Sequence, residues 1–430
     1  MKIVLTIAGS DSICGAGIQQ DLKVFSAMNV HGVSVITAVT SQNTRRIISI
    51  HTIPEDIISD QIDTVFSDLQ PDAVKTGMLY SSETADIVRK KMREYRIKNL
   101  VVDPILKSGT GAKLLQDDAI EELKRLMKMA KLSTPNIYEA EVLSGVKIKN
   151  LNDMKKAAKK IGNCLITGGH LNAVDVLYSN GEYHYFKNPE GKLTVKLHGT
   201  GCTLSAAITA ELANGKNLIT SIQNAKEFTT ELIKNSIPIG HGANILDPTL
   251  YYKKLELKEN VKKAIELFVS EEKSYLLVPQ VGINIVMALE NPETINDIAG
   301  ITGRIIRNKN RVIPVGNVEF EGSKHVATVV LSAVKFNPEM RAAMNIKYSD
   351  EIVKICKKIG FKVSSFDRRK EPKKVSTMEW GTITAIEKVG YVPDIIFDKG
   401  SIGKEAMIRI LGKNTTEVVE KSIKIMAQLT

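Results

Sequence analysis

The sequence predicts an α/β fold with a mostly parallel sheet covered by helices, followed by a smaller α+β domain. Three observations lead to this prediction. The chain has 430 residues, more than one hydrophobic core usually organises. Its first part alternates short β-rich runs with amphipathic segments, which is the rhythm of a helix-covered parallel sheet. A Pro- and Gly-rich break over residues 238–248 then precedes a charged helical stretch.

In the first part, residues 1–250, predicted strands and helices alternate. The strands are 3–8, 33–39, 72–75 and 100–102, and the helices are 18–28, 54–69, 83–95 and 118–130. Gly-containing loops follow the strands, and open α/β sheets bind ligands at that edge. We therefore expect the functional site of this domain where these strands end.

The second domain, residues 260–430, mixes both element types. Its predicted strands are 274–279, 283–287, 312–314, 325–334 and 394–397. Its predicted helices are 292–301, 349–359, 380–388 and 402–410. This mixture predicts an α+β domain.

Composition excludes several classes of protein. No segment reaches the ~18 consecutive apolar residues of a membrane span. The apolar run 3–8 leads into Gly-Ser-Asp rather than a cleavage site, so we interpret it as a strand and not a signal peptide. The four cysteines show no C-x-x-C spacing, which argues against a disulfide framework and a zinc site. We expect a cytoplasmic protein.

The net charge of +11 is unevenly distributed. Residues 1–250 carry 29 Lys and Arg against 26 Asp and Glu, whereas the remaining residues carry 30 against 22, so the two parts have charges of +3 and +8. Aromatic residues, on which bases would stack, make up only 5%. This balance favours anionic metabolites over nucleic acid as partners.

Seven motifs lie at loop ends of the predicted elements of the first domain. They are GSDSICGAGIQQDLK (9–23), TSQNT (40–44), DAVKTGM (72–78), VVDP (101–104), STPNIYEAE (133–141), TGGH (167–170) and HGTGCTLSAAI (198–208). In this order and spacing they resemble the hydroxymethylpyrimidine and hydroxymethylpyrimidine phosphate kinases, a branch of the ribokinase-like superfamily. The resemblance implies a ribokinase-like fold, ATP as co-substrate and Mg²⁺ as cofactor.

The segment Gly199-Thr200-Gly201-Cys202 opens the apolar helix 203–212. Free N–H groups and the positive dipole end of that helix can hold a transferring phosphoryl group. A helix N-terminus also favours thiolate, which suits Cys202 as the general base that deprotonates a hydroxymethyl group. The alternative is a small buried helix residue. The resemblance supports the base, because the pyrimidine kinase branch carries a cysteine here.

The resemblance also implies ligands for nucleotide and metal. Asn136 and Glu139 match the N-x-x-E motif of the superfamily, whose Glu helps to organise magnesium, and Asp103 adds a carboxylate beside the phosphates. Oxygen ligands shared with phosphate are what Mg²⁺ prefers. Thr167 and His241 depart from the family, which usually has lysine at both positions, and this bears on ATP binding.

For the pyrimidine, the resemblance assigns Gln42 to the ring edge and Met78 to its face, with Asp21 in the pocket near Gly9. An amide offers both a donor and an acceptor, which fits an aminopyrimidine. These assignments make hydroxymethylpyrimidine and its phosphate the expected substrates.

Five stretches of the second domain resemble the thiamine phosphate synthase domain that is fused to this kinase in archaea and some bacteria. They are VPQVGINI (278–285), ITGRIIR (301–307), GNVEFEGSKHVA (316–327), SFDRRKEP (365–372) and PDIIFDKGSIGKEAMIRILG (393–412). The resemblance implies condensation of the pyrimidine pyrophosphate with thiazole phosphate. It makes Arg304 and His325 the expected catalytic pair.

The residues of loop 398–405 suggest a second anion site. We interpret the loop as a strand-to-helix connection in which Gly403 and Lys404 present N–H groups and charge to an anion. A plain solvated turn is the alternative.

Two other readings of the chain stay open. The second domain could sense thiamine phosphate without catalysis, as similar domains attached to DNA-binding helices do, although no helix-turn-helix is evident here. The first domain could be a pyridoxal kinase, which belongs to the same superfamily and carries the same cysteine. We also expect a homodimer or higher homo-oligomer, with small-molecule substrates and neither nucleic acid nor membrane as partner.

Overall fold

The computed structural model describes residues 1–109, 111–168, 174–187, 196–372, 376–401 and 403–429. Gly169 and His170 of the TGGH motif therefore lie outside the described residues. The chain forms two compact units, Met1–Tyr251 and Tyr252–Thr430, which we call the first and the second unit. No helix of the described residues is long and apolar enough to cross a membrane.

The first unit consists of alternating strands and helices. Its strands are β1 (Ile3–Asp11), β2 (His31–Gln42), β3 (Ile47–Thr52), β4 (Ala73–Thr76), β5 (Leu100–Val102), β6 (Leu132–Ser133), β7 (Cys164–Ile166), β8 (Val174–Ser179), β9 (Glu182–Lys187), β10 (Leu197–His198) and β11 (Asn244–Ile245). Its helices are α1 (Gly17–Ala27), α2 (Glu55–Asp68), α3 (Ser82–Glu94), α4 (Ile120–Met127), α5 (Ile137–Ser144), α6 (Leu151–Ile161), α7 (Thr200–Ala213) and α8 (Leu218–Lys234), and α9 (Pro248–Ser270) crosses the border between the units.

In the described residues of the first unit, β1 to β9 form one large sheet in the order β3-β2-β1-β4-β5-β6-β7-β8-β9, and β10 pairs separately with β11. From β2 to β7 all neighbours are parallel, whereas β3, β8 and β9 are antiparallel additions. The mostly parallel sheet predicted from the sequence is therefore confirmed. The carboxyl ends of β1, β4 and β5 meet at one edge, and this positions the loops that follow them.

Helices cover both faces of this sheet. One apolar cluster joins the sheet to α1, α7 and α8, and includes Phe25, Ile208 and Phe228. A second cluster joins the other face to α2, α3 and α4, and includes Ile58 and Leu123. Helix α7 is buried along most of its length, as its Ala- and Leu-rich sequence requires.

The second unit is α+β, as predicted. Its strands are β12 (Ile285–Ala288), β13 (Ile298–Ile301), β14 (Arg304–Asn308), β15 (Arg311–Val315), β16 (Val318–Phe320), β17 (Ala342–Lys347), β18 (Val363–Ser365), β19 (Ile395–Asp398) and β20 (Met407–Gly412). Its further helices are α10 (Lys324–Val334), α11 (Asp350–Lys358), α12 (Thr377–Glu387) and α13 (Thr415–Met426). The main sheet has the order β16-β13-β12-β17-β20-β19-β18 in the described residues, and β14 pairs with β15.

Four predicted elements of the second unit are wrong. The predicted strand 325–334 is helix α10, because its apolar residues recur at helical spacing and pack on the sheet. The predicted helices 292–301 and 402–410 give way to strands β13 and β20, which are buried between neighbouring strands. Residues Ser274–Leu277 form a 3-10 turn rather than a strand.

Candidate functional site

A cleft of about 640 Å³ opens where the parallel strands of the first unit end. Nearly all residues that the sequence predicts for the kinase site line it, namely Gly9, Gln42, Met78, Asp103, Asn136, Glu139, Gly199, Thr200, Gly201 and Cys202. These residues come from six separate loops or helix starts along two hundred positions of sequence. We call this space the first-unit cleft.

The turn before helix α7 packs tightly against the backbone of Gly15, in the loop that follows β1. Gly199 has φ +80, and a Cβ there would lie 1.8 Å from the carbonyl oxygen of Gly15, so only glycine fits. Helix α7 begins at the next residue, which leaves the N–H groups of its first turn beside the cleft. This geometry supplies an anion-binding helix end.

Cys202 lies in the first turn of α7 and is 7% exposed. Burial raises the pKa of the Cys202 thiol to about 12, and although Lys75 lowers it, the nearby Asp103 and Asp21 raise it further. The expected direction of this pKa shift, downward from the helix dipole, was therefore wrong. Cys202 lines the cleft, and Lys75 is the cation that favours its thiolate.

Asp21 was predicted to lie in the substrate pocket, but it does not line the cleft. It is completely buried, and its two oxygens accept hydrogen bonds of 2.9 and 2.7 Å from Nζ of Lys75 and one of 2.6 Å from Oγ1 of Thr6. Lys75 lines the cleft in its place, and it is itself 0% exposed. Lys75 lies in the DAVKTGM motif, but the sequence alone suggested no role for it. A lysine inside a short, fully buried strand was the signal that could have found it.

Two buried carboxylates face the cleft near the start of α7. Burial raises the pKa of Asp103 to about 6 although Lys75 lowers it, and burial together with Asp103 raises the pKa of Glu139 to about 8. Ser205 Oγ donates to Asp103 at 3.0 Å, and the N–H of Asn136 donates to Glu139 at 2.9 Å. Asn136 and Glu139 together form the capping box of α5, which fixes both side chains.

These carboxylates fit magnesium bound together with phosphate. Mg²⁺ commonly takes one or two protein carboxylates and completes its shell with water and phosphate oxygens. Among the described residues no group of three or more His, Cys, Asp or Glu could enclose a metal ion alone. Mutual repulsion between Asp103 and Glu139 is what a cation would relieve.

A hydrogen-bonded trio at the cleft wall contains two residues that sequence reasoning missed. Nε2 of His198 lies 3.0 Å from Oδ2 of Asp11 and 3.3 Å from Nε2 of Gln42. Burial would raise the pKa of Asp11, but the bonds from His198 and the Ile13 N–H lower it overall. Nε2 of His198 carries one hydrogen, which it donates to Asp11, and the Gln42 amide also bonds Asp11. Asp11 therefore orients both side chains, and the rest of the Gln42 amide is left for a ligand.

The two departures from the family pattern lie in different surroundings. Thr167 lines the cleft, next to Asn136 in a parallel bridge. His241 is exposed, and its carbonyl oxygen accepts a hydrogen bond from Nε of Arg45.

In the second unit, Arg304 and His325 belong to different elements. Arg304 begins β14, three residues after β13 ends, and its Nη1 donates to the Gly303 carbonyl at 2.7 Å. His325 is an exposed residue in the first turn of α10. The chain enters that helix beside the start of β13, where the Glu321 N–H donates to the carbonyl of Ile298. Arg304 thus follows β13 along the chain, and His325 follows β16, the antiparallel neighbour of β13.

The loop after Asp398 does not lead into a helix. It connects β19 to the antiparallel β20, so the predicted helix N-terminus at Gly403 does not exist. Lys404 donates to Glu371 Oε2 at 3.2 Å and to Thr377 Oγ1 at 3.3 Å. Lys404 is thus paired with Glu371, and the strand-to-helix connection expected at this loop was wrong.

Comparison with known proteins identifies both units. The family model described as phosphomethylpyrimidine kinase matches residues 11–247, and the model described as thiamine-phosphate synthase ThiN matches residues 260–424. A bifunctional thiamine biosynthesis protein ThiDN from Methanocaldococcus jannaschii is 38% identical over 97% of this chain and 97% of its own length. The chain belongs to this bifunctional family.

Relatives of the first unit agree with the family assignment. A hydroxymethylpyrimidine/phosphomethylpyrimidine kinase from Aquifex aeolicus is 40% identical and covers 57% of this chain and 99% of its own length. The structure of an ADP complex of Bacillus subtilis pyridoxal kinase superposes with a TM-score of 0.54 at 38% identity, covering 58% of this chain and 98% of that one. The ribokinase-like fold is thereby confirmed.

Proposed function

We propose that the first unit phosphorylates hydroxymethylpyrimidine and then its phosphate with ATP, and that the second unit condenses the resulting pyrophosphate with thiazole phosphate. The products of the second step are thiamine phosphate and pyrophosphate. The observation that carries the kinase assignment is the first-unit cleft, which combines an anion-binding helix end, Cys202, two carboxylates and the Gln42 amide.

The cleft has two chemically different walls. The Gln42 amide, oriented by Asp11, offers polar contacts to the edge of a flat ring, and the thioether of Met78 beside Gly9 offers an apolar surface to its face. The N–H groups after Gly199 receive the phosphoryl group on the other side. Mg²⁺ held by Asp103 and Glu139 with phosphate oxygens would neutralise charge on the transferring group.

Cys202, as the thiolate, then accepts the proton of the substrate hydroxymethyl group while the hydroxymethyl oxygen bonds to the γ-phosphorus of ATP and ADP leaves. Because burial holds the pKa of Cys202 high, this role requires a cation that stabilises the thiolate. Lys75 is the cation that lowers this pKa, and Asp21 holds it in place. The pKa of about 12 already includes the effect of Lys75, so the buried pair lowers the cost of the thiolate without bringing the pKa of Cys202 into the neutral range.

For the second unit, Arg304 and His325 remain the proposed catalytic residues. A guanidinium can grip oxygens of the departing pyrophosphate, and an imidazole can donate a bond or a proton to it. The alternative is a second unit that binds thiamine phosphate without forming it. We propose residues 1–250 and 260–430 as the two functional domains.

One assay tests the whole proposal. The pure full-length chain is incubated with hydroxymethylpyrimidine, thiazole phosphate, Mg²⁺ and ATP, and thiamine phosphate is measured by chromatography. A parallel reaction replaces the pyrimidine by pyridoxal, and a third supplies the pyrimidine pyrophosphate without ATP. Formation of thiamine phosphate in the first and third reactions supports both activities. Tight thiamine phosphate binding without its formation in the third would support the sensor and reject the synthase.

A further inference from the structure

A buried cluster of charge in the second unit has no role in the site described so far. Asp398 ends β19 and is 0% exposed, and Arg409 in β20 is 3% exposed. Nη1 of Arg409 lies 2.8 Å from Oδ2 of Asp398, and Nε of Arg368 lies 2.7 Å from Oδ1. We call Arg368, Asp398 and Arg409 the guanidinium cluster.

The guanidinium cluster carries one more positive than negative charge. Both arginines stay protonated, since guanidinium groups do not lose their proton in proteins. Lys404 and Glu371 next to the cluster form their own ion pair and leave this excess unchanged. An uncompensated charge away from water is costly, so a second anion would complete the cluster.

Arg409 also has donors to spare. Its Nη1 donates to Asp398 and, at 3.4 Å, to the Met407 carbonyl. Within the described ranges no protein acceptor is found for its Nε or Nη2. The guanidinium lies 5.3 Å from the centre of the Phe366 ring, which fixes its plane. A fixed guanidinium with unused N–H groups matches two oxygens of a phosphate.

A chain of contacts links this cluster to Arg304. Asn345 in β17 is paired directly with Arg409, and its Nδ2 donates to the Gly282 carbonyl at 2.9 Å. Gly282 lies against Arg304 so closely that a Cβ there would be 2.8 Å from Cβ of Arg304. The Glu405 carboxylate accepts the N–H groups of residues 280 and 281, which ties this loop to the β19–β20 hairpin.

We propose that Arg304, Arg368 and Arg409 line one binding site for a phosphate or pyrophosphate group of the substrates of the second unit. Asp398 positions two of the three guanidiniums. This site rests on the proposed function of the second unit and deepens it. At the β19–β20 hairpin, arginine side chains rather than the N–H groups of a helix end would bind the anion. Both pyrimidine pyrophosphate and thiazole phosphate carry the required chemistry.

The test uses two separate variants of the full-length chain, Arg368→Lys and Arg409→Lys. Each keeps the positive charge but loses the guanidinium geometry that can bind two oxygens at once. Inorganic pyrophosphate and thiazole phosphate are titrated separately by calorimetry. We expect about 10- to 100-fold weaker binding of at least one of them, as for the loss of a charged hydrogen bond. The ligand that is affected identifies the group bound. The kinase rate, measured with hydroxymethylpyrimidine and ATP, should not change.

Lys421→Arg is the matched control, because Lys421 forms a partly buried ion pair with Asp394 elsewhere in the same unit. It should leave both affinities unchanged. If Arg409→Lys does not fold, Arg368→Lys carries the test alone, since its side chain is at the rim with 9% exposure. Folded variants that bind both anions as tightly as the wild type would overturn the site. In a further outcome, the wild-type chain makes no thiamine phosphate while the variants still lose anion binding. That result would reject the synthase activity and support the binding site.

Discussion

Replacing Lys75 by Met separates two roles of the buried ion pair in the first unit. Nζ of Lys75 bonds both oxygens of Asp21, and both residues are 0% exposed. Removing one partner of a buried pair costs about 3–5 kcal/mol, because the other charge stays behind without compensation. For a unit of this size the melting temperature should fall by about 6–20 °C. Kinase turnover should also fall about 10²–10⁴-fold, since Cys202 loses the cation that supports its thiolate.

The double variant Lys75→Met/Asp21→Asn distinguishes stability from catalysis. It removes both charges, so most of the lost stability should return, while turnover stays low. Scanning calorimetry of the full chain follows both units. The single tryptophan, Trp380, lies in the second unit, so its fluorescence identifies that transition and leaves the other to the first unit.

Lys2→Met is the matched control for this experiment. Lys2 pairs with Asp72 at 2.6 Å, but both side chains are partly exposed, so its loss should cost at most about 1 kcal/mol and leave turnover unchanged. A stable double variant with wild-type turnover would refute the role of Lys75 at Cys202. A Lys75→Met protein as stable as the wild type would refute the energetic argument.

Three further predictions concern the first-unit cleft and the border between the units. Cys202→Ala should lower phosphorylation of both pyrimidine substrates about 10²–10⁴-fold with an unchanged melting temperature, and near wild-type rates would exclude it as the base. Gln42→Leu should weaken pyrimidine binding by roughly 1–3 kcal/mol but not ATP binding, as calorimetry can show, whereas equal losses would make the residue structural. A chain of residues 1–250 should form the pyrimidine pyrophosphate but no thiamine phosphate in a coupled assay. Residues 255–430 should form thiamine phosphate from supplied precursors without ATP, and an inactive but folded fragment would contradict independent units.

Local signals made the first unit predictable. Each strand of the parallel sheet is a short apolar run, and each helix after it is amphipathic, so the alternation is visible without knowledge of contacts. The predicted strand 100–102 coincides with β5, and the predicted helix 83–95 closely matches α3, which Ser81 caps. Strands β3 and β6 to β9 of the main sheet were not predicted, because nothing in the motifs required them.

The second unit was harder because its local signals conflict with its tertiary contacts. Residues 324–334 are rich in valine, which favours strands, yet helix α10 forms since its apolar face covers the sheet. Residues 407–412 carry no strong strand signal, and β20 exists because β17 and β19 pair with it on both sides. Strand pairing between distant segments decides such elements.

The sequence by itself determined the two-part organisation, the parallel sheet of the first unit and the residues that meet in its cleft, because those motifs end strands whose carboxyl ends share one edge. Only the tertiary structure decided which charges meet beneath that edge and within the second unit. Asp21 and Lys75 are 54 positions apart, and Arg368 reaches Asp398 across 30. Packing brings such groups together and removes them from water, so each buried charge needs an opposite charge nearby. Which residue provides that charge depends on the fold, and the spacing of residues along the chain does not reveal it.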